Sequence, residues 1–346
     1  MKSYISTVNK KIKDYYKILE PEYPTWLDEY INTNVMLKQQ YVSVTCGATY
    51  SHLFDCDIFY SSLDHSIGVA LIIWHFTHDK IQTLAGLFHD IATPVFKHSI
   101  DFLNGDYMTQ EATEDLTTQM IQDSKELIAL LKRDKIKLEE VDNYHNYPIA
   151  DNDTPQLSAD RLEYSLSNAL LVYNLARLDE VREIYRDIII GKNENNIEEL
   201  SFQTKKIARN FVNITSKLSV IYREDRTRFS MQFLADIIKK MEEDKIITKK
   251  DLYLLKESEV IQLIEKSKYK DIFLIWKHAK KVQSSPIEPK QVYYVHHGAK
   301  IRYIDPLIEG KRISKVCKIA KKSIEKNLSY DMTQYVYIDN INFPNN

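Results

Sequence analysis

Two imidazoles and two carboxylates stand out in this chain of 346 residues: His65, the adjacent pair His89 and Asp90, and Asp160. Together they offer nitrogen and oxygen donors to one divalent cation. A closed set of thiolates or imidazoles makes a structural zinc site, whereas a mixed set with room left for water suits metal-assisted hydrolysis. A His-Asp dipeptide carries little weight by itself. The chain supplies its own control in a second one, His78-Asp79, eleven residues earlier.

The elements around the two dipeptides choose between them. Residues 64–76 (DHSIGVALIIWHF) are almost wholly apolar after the first three, and residues 80–92 (KIQTLAGLFHDIA) are apolar at Ile81, Leu84, Ala85, Leu87, Phe88 and Ile91. This pattern predicts two buried helices joined by a turn at Thr77-His78-Asp79. If they fold back on each other, residues equally far from the turn meet, because each helix rises about 1.5 Å per residue. His65 lies thirteen residues before His78, and His89 and Asp90 lie eleven and twelve after it. They fall at one level, while His78 and Asp79 sit at the turn, where solvated polar caps are expected. In LSADRLEYSLSNALLVY, Ser158 can cap a helix with Asp160 in its first turn. Taken alone, Asp160 reads as an ordinary complement to the helix dipole.

The order His, His-Asp, Asp within DHSIGVA, AGLFHDIATPVFKHSID and SADRLEY resembles the HD-domain metal-dependent phosphohydrolases, and among them the deoxynucleoside triphosphate triphosphohydrolase branch. The resemblance runs from about residue 61 to residue 173, roughly a third of the chain. It implies a mainly α fold with an HD-domain helical core, and His65, His89, Asp90 and Asp160 as ligands of one divalent metal: manganese, iron, cobalt, nickel, zinc or magnesium. A metal held by four protein ligands keeps positions open for water and for a phosphoryl oxygen, so no serine or cysteine nucleophile is required. His98 and Glu111 match catalytic positions of that branch, as a proton carrier and its orienting partner, although both also suit structural roles. Arg161 and Tyr164 match phosphate and sugar contacts.

Three positions depart from the branch pattern. Ser62 stands in place of a phosphate-reading arginine, and Thr93 and Gln110 replace two histidines. The metal pattern is kept while the substrate pocket diverges. Lys97, Arg177 and Arg182 are the basic side chains that could fill the vacated space, and Lys97 is assigned a substrate contact. Dinuclear relatives insert extra histidines between the His-Asp pair and the last aspartate. Only His98 and His145 fall there, which favours a single metal and leaves His145 as a possible extra ligand.

Composition agrees with a cytoplasmic enzyme: 44% hydrophobic residues, only 7 glycines, and three cysteines without disulfide or metal-site spacing. No signal peptide or membrane span is read from the sequence. A net charge of -2 argues against nucleic-acid wrapping. The domain reading is a helical phosphohydrolase domain over 1–283, with its ligand-bearing core at about 61–175, then a small α+β module over 284–346 that could cover the site or join two copies in a homo-oligomer. Between 160 and 281 helix is expected to follow helix, interrupted by the polar GKNENN run. The expected activity is hydrolysis of a nucleotide, a deoxynucleotide first, or a related phosphate ester. The alternative is a catalytically silent nucleotide-binding or regulatory HD protein. A two-iron HD oxygenase requires more histidines than the pattern supplies.

Overall fold

Ser61 and Asp64 start the first ligand helix. The Ser61 hydroxyl accepts from the Asp64 N–H, and the Asp64 carboxylate accepts from the Ser61 N–H, a reciprocal cap for the helix Ser62–Thr77. In the computed structural model, which describes residues 3–103 and 116–344, this helix ends at His78 in a left-handed conformation (φ 49°). Asp79 then accepts from the N–H groups of Ile81 and Gln82 and opens the second helix, Lys80–Phe88. The second His-Asp dipeptide is therefore turn and cap.

Gly86 lets the two helices close. A Cβ built there would stand 2.2 Å from Ile73 Cδ1, so a larger residue would require the Ile73 side chain to shift. The helix Ala159–Ser167, capped by Ser158, packs against the first ligand helix, and the N-terminal helix Lys10–Leu19 covers it from another side. There the Tyr16 hydroxyl donates to the Asp64 carbonyl oxygen at 2.9 Å. Two further long helices, Lys205–Ile221 and Asp225–Glu243, complete a mainly α molecule. No described helix is long and apolar enough to cross a membrane.

The region from 160 to 281 is not helix throughout. Strands β1 (Ile188–Lys192) and β2 (Glu198–Phe202) form an antiparallel hairpin around the GKNENN run, with Ile188 opposite Phe202. Three consecutive β-branched isoleucines favour the extended state, and the Asn193 side chain closes the turn by accepting from Asn195 and Ile197. After 282 come β3 (Gln283–Ser285), β4 (Tyr294–Val295), β5 (Leu307–Ile308), β6 (Lys311–Arg312), a helix Lys318–Leu328 and β7 (Tyr335–Tyr337). β7 lies between β3 and β4, while β5 joins β2 in parallel and pairs with β6.

The tail is thus woven into the body. Ile304, Ile308, Ile313, Ala320 and Ile324 enter the core that also holds the ligand helices, and Val295, Val336 and Ile341 enter a second core around Phe229, Phe233 and Trp276. Arg312 of β6 bonds both carboxylate oxygens of buried Glu199 on β2, at 2.6 and 2.9 Å. Glu199 in turn accepts the Leu157 N–H at 3.0 Å, just ahead of the Ser158 cap. One chain of polar contacts runs from the tail to the start of the Asp160 helix.

Candidate metal centre

His65 lies one turn into the first ligand helix, and His89 directly follows the second. Their ring centroids are 5.0 Å apart and their Nε2 atoms 3.2 Å apart. Each Nδ1 faces an atom that can only accept: the Glu163 carboxylate for His65, and the Gly86 carbonyl oxygen at 2.7 Å for His89. Both Nδ1 atoms therefore carry hydrogen, and both Nε2 atoms turn toward a common centre. Asp160 Oδ1 completes it, 3.1 Å from His65 Nε2 and 3.8 Å from His89 Nε2. Among the described residues, one donor atom from each of His65, His89 and Asp160 lies within 4.8 Å of the others.

Three such atoms at this range repel unless positive charge, a proton or a metal ion, lies among them. Burial disfavours a charged His65, but Glu163 and Asp160 outweigh burial and push its imidazole up to about 10. Asp160 is held below the usual carboxylate range: burial opposes this, and the hydrogen bond and charge of His65 prevail. The centre attracts a cation, and its donors fit a divalent metal.

Asp90 stands at the edge of the group. Its Oδ2 is 3.9 Å from His65 Nε2 and 3.8 Å from His89 Nε2, and it accepts from Lys97 Nζ at 2.5 Å and from the Ser62 hydroxyl at 3.1 Å. Burial works against both charges, but each sustains the other, so Asp90 titrates well below its usual range and Lys97 above its own. The Lys97 backbone is left-handed (φ 41°), as is that of Phe96 (φ 62°), a costly conformation for non-glycine residues. It is held from outside: the Phe96 N–H donates to Glu257 Oε1 at 3.1 Å, and the Val95 N–H to the Leu252 carbonyl oxygen at 2.9 Å.

His65, His89, Asp90 and Asp160 line one cavity of about 940 Å³, within the range of small-molecule sites. Lys97, His98, His145, Arg161 and Tyr164 line it as well. His98 Nδ1 pairs with Asp101 at 2.9 Å and His145 Nδ1 with Asp151 at 2.9 Å, and neither belongs to the three-residue cluster. Arg161 reaches Asn152 Oδ1 at 2.6 Å and Asp151 at 3.4 Å. Arg177 is exposed and paired with Asp179, and neither it nor Arg182 lines the cavity. Thr93 is buried. Glu111 and Gln110 lie outside the described residues.

Two contributions escaped the sequence reading. Glu163, fully buried, orients His65 and is itself held by the Tyr60 hydroxyl at 2.6 Å and the Ser167 hydroxyl at 3.2 Å. Its signal was present: in DRLE it follows Asp160 by three residues, on the same helical face. Lys300 and Arg302 bring two more basic residues to the cavity from the tail. No motif marks them, because only the tertiary fold returns that segment to the site.

No protein-family model matches the chain. It is 25% identical over 248 residues to YdhJ, an uncharacterised protein of Bacillus subtilis, across 71% of this chain and 73% of the relative. A hypothetical protein from Aquifex aeolicus has a similar solved structure, with a TM-score of 0.57 and 14% identity over 90% of this chain and 91% of the other. A phosphohydrolase from Bacteroides thetaiotaomicron is similar at a TM-score of 0.55 and 11% identity, over 93% of this chain and 94% of the other. At such identities the likeness is one of fold. The chain has a mainly α fold shared with a phosphohydrolase, and it carries a His/His/Asp cluster able to hold a metal ion.

Proposed function

We propose that this protein is an HD-type, metal-dependent phosphohydrolase acting on a nucleotide, a deoxynucleotide first, or a related phosphate ester. The observation that carries the reading is the convergence of His65 Nε2, His89 Nε2 and Asp160 Oδ1 in a cavity whose wall also holds Lys97, Arg161, Lys300 and Arg302. A phosphohydrolase of similar fold supports it.

A divalent ion bound there would polarise a phosphoryl oxygen and lower the pKa of a water. Glu163 and the Gly86 carbonyl hold the two imidazoles in the tautomer that can donate to it. The cationic side chains offset the phosphate charge, with the guanidinium of Arg161 suited to paired oxygens. Tyr164, Tyr173 and Tyr222 form an aromatic wall for a sugar or base. Burial holds His98 below the usual histidine range, so at neutral pH it accepts a proton; with Nδ1 committed to Asp101, Nε2 is the atom that exchanges it.

The test incubates the protein, loaded in turn with manganese, iron, cobalt, nickel, zinc or magnesium, with nucleoside tri- and monophosphates. Released triphosphate, pyrophosphate and phosphate are then separated. Turnover that disappears in Asp160→Ala supports the proposal; no turnover of any nucleotide with any of these metals rejects it.

A second reading has its own observation. The Lys97 ammonium already occupies the Asp90 carboxylate, which suits a protein that binds a nucleotide without cutting it. Thermal stabilisation by a nucleotide with no product formed would favour that reading.

A further inference from the structure

One of the four candidate ligands already holds a cation of the protein's own. The oxygen of Asp90 that lies 3.8 and 3.9 Å from the two imidazole Nε2 atoms is the same oxygen that takes Lys97 Nζ at 2.5 Å. A divalent ion and an ammonium sharing one carboxylate oxygen would put two positive charges within a few ångströms of each other, and like charges so close repel. Through that oxygen, the one turned to both imidazoles, Asp90 can serve the metal fully only by giving up Lys97.

The lysine can move without its loop. Glu257 and Leu252 pin the backbone at Phe96 and Val95, just ahead of Lys97, so the part freest to change is the flexible four-carbon stem. Lys97 is only 6% exposed, so an ammonium that leaves Asp90 must find another anion or remain buried and unpaired. It lines the same cavity as Arg161, where a phosphate group would supply that anion.

We propose that Lys97 is an exchangeable counter-ion: it holds Asp90 while the centre lacks metal, and passes to a phosphate oxygen when the metal takes Asp90. This rests on the phosphohydrolase reading and adds a coupling to it. Metal and phosphate bind cooperatively, each raising the affinity of the other by the same factor, because linkage is reciprocal. A metal arriving without phosphate must displace a buried ion pair, which protects the centre from idle loading.

Titration calorimetry with Mn²⁺, with and without inorganic phosphate, tests this on the full chain and on Lys97→Met. In the native protein phosphate tightens Mn²⁺ binding by about tenfold or more, the usual scale of such coupling. Lys97→Met binds Mn²⁺ about tenfold more tightly without phosphate and responds to phosphate less than the native protein does, keeping only the coupling that direct metal–phosphate contact supplies. Lys97→Gln keeps a donor for Asp90 without the charge, and replaces the methionine variant should that one fail to fold. Equal Mn²⁺ affinity in native and variant proteins, or an equal phosphate effect in both, overturns the exchange alone. Should neither protein bind Mn²⁺, the titration is repeated with iron, cobalt, nickel, zinc and magnesium, and absence of binding throughout overturns the metal-hydrolase reading with it.

Discussion

Gly68 and Glu163 approach so closely that a Cβ on Gly68 would stand 2.6 Å from the Glu163 carboxylate oxygen that bonds Tyr60. The other oxygen of that carboxylate fixes His65. Gly68→Ala is expected to displace Glu163, free the His65 ring and weaken metal binding by about 10- to 100-fold, with helix content unchanged. Calorimetric titration beside a circular dichroism spectrum checks it; native-like affinity would show that Glu163 orients nothing of consequence.

Removal of a donor should separate binding from chemistry. Asp160→Ala is expected to leave the purified protein without bound metal and without turnover. His98→Ala should keep its metal and lose about 10²- to 10⁴-fold in kcat, the usual range for a proton-transfer group. Elemental analysis of both variants alongside their turnover decides it, and a His98→Ala protein with native kcat would remove His98 from the reaction.

Arg312 and Glu199 form an ion pair whose side chains are 6% and 0% exposed. Arg312→Met leaves the carboxylate buried without its counter-charge, at a cost of about 3–5 kcal/mol. Denaturant unfolding should show that loss, and a further change of Glu199 to Gln should recover part of it. A fully additive double variant would argue that the two side chains do not act as a pair.

Glu257 gives the fold a pH dependence. Burial raises its carboxyl from 4.5 to about 7, against the opposing pull of the Ser43 and Phe96 N–H groups and of Lys38. Below 4.5 the carboxyl is protonated in folded and unfolded chains alike, and its contribution is fully present. Between 4.5 and 7 the folded chain keeps a proton that the unfolded chain has released, so stability falls as pH rises. The span is on the order of 3 kcal/mol. Glu257→Gln keeps an oxygen for both N–H groups and should flatten the profile between pH 5 and 8. Parallel pH profiles for the two proteins would refute this.

Much of the centre was legible because it depends on periodicity. The run of apolar residues gave two helices, and the count from His78 set His65 level with His89 whatever the rest of the chain did. Asp160 was not legible from its capped helix alone, where it reads as a complement to the dipole; the order of the motifs singled it out. Lys97 was placed in the pocket, but its bond to Asp90 could not be read, since it depends on two successive left-handed residues that no composition announces. The β1–β2 hairpin was hidden because an apolar run of three residues is too short for its period to tell strand from helix, and β-branching alone did not mark it. The return of residues 299–303 to the cavity was hidden for another reason: it follows from strand pairing between β2 and β5, a contact between segments about a hundred residues apart.

That pairing also sets an order of assembly. During synthesis His65, His89 and Asp160 all emerge well before Lys300 and Arg302, so a nascent chain can gather its metal donors while one wall of the pocket is still missing. Chains cut short before β5 would carry the donors and lack the part of the cavity built by the tail. On the proposed reading, two of the cations that would offset a phosphate charge are made only after the metal donors, and reach the cavity by way of the β2–β5 pairing.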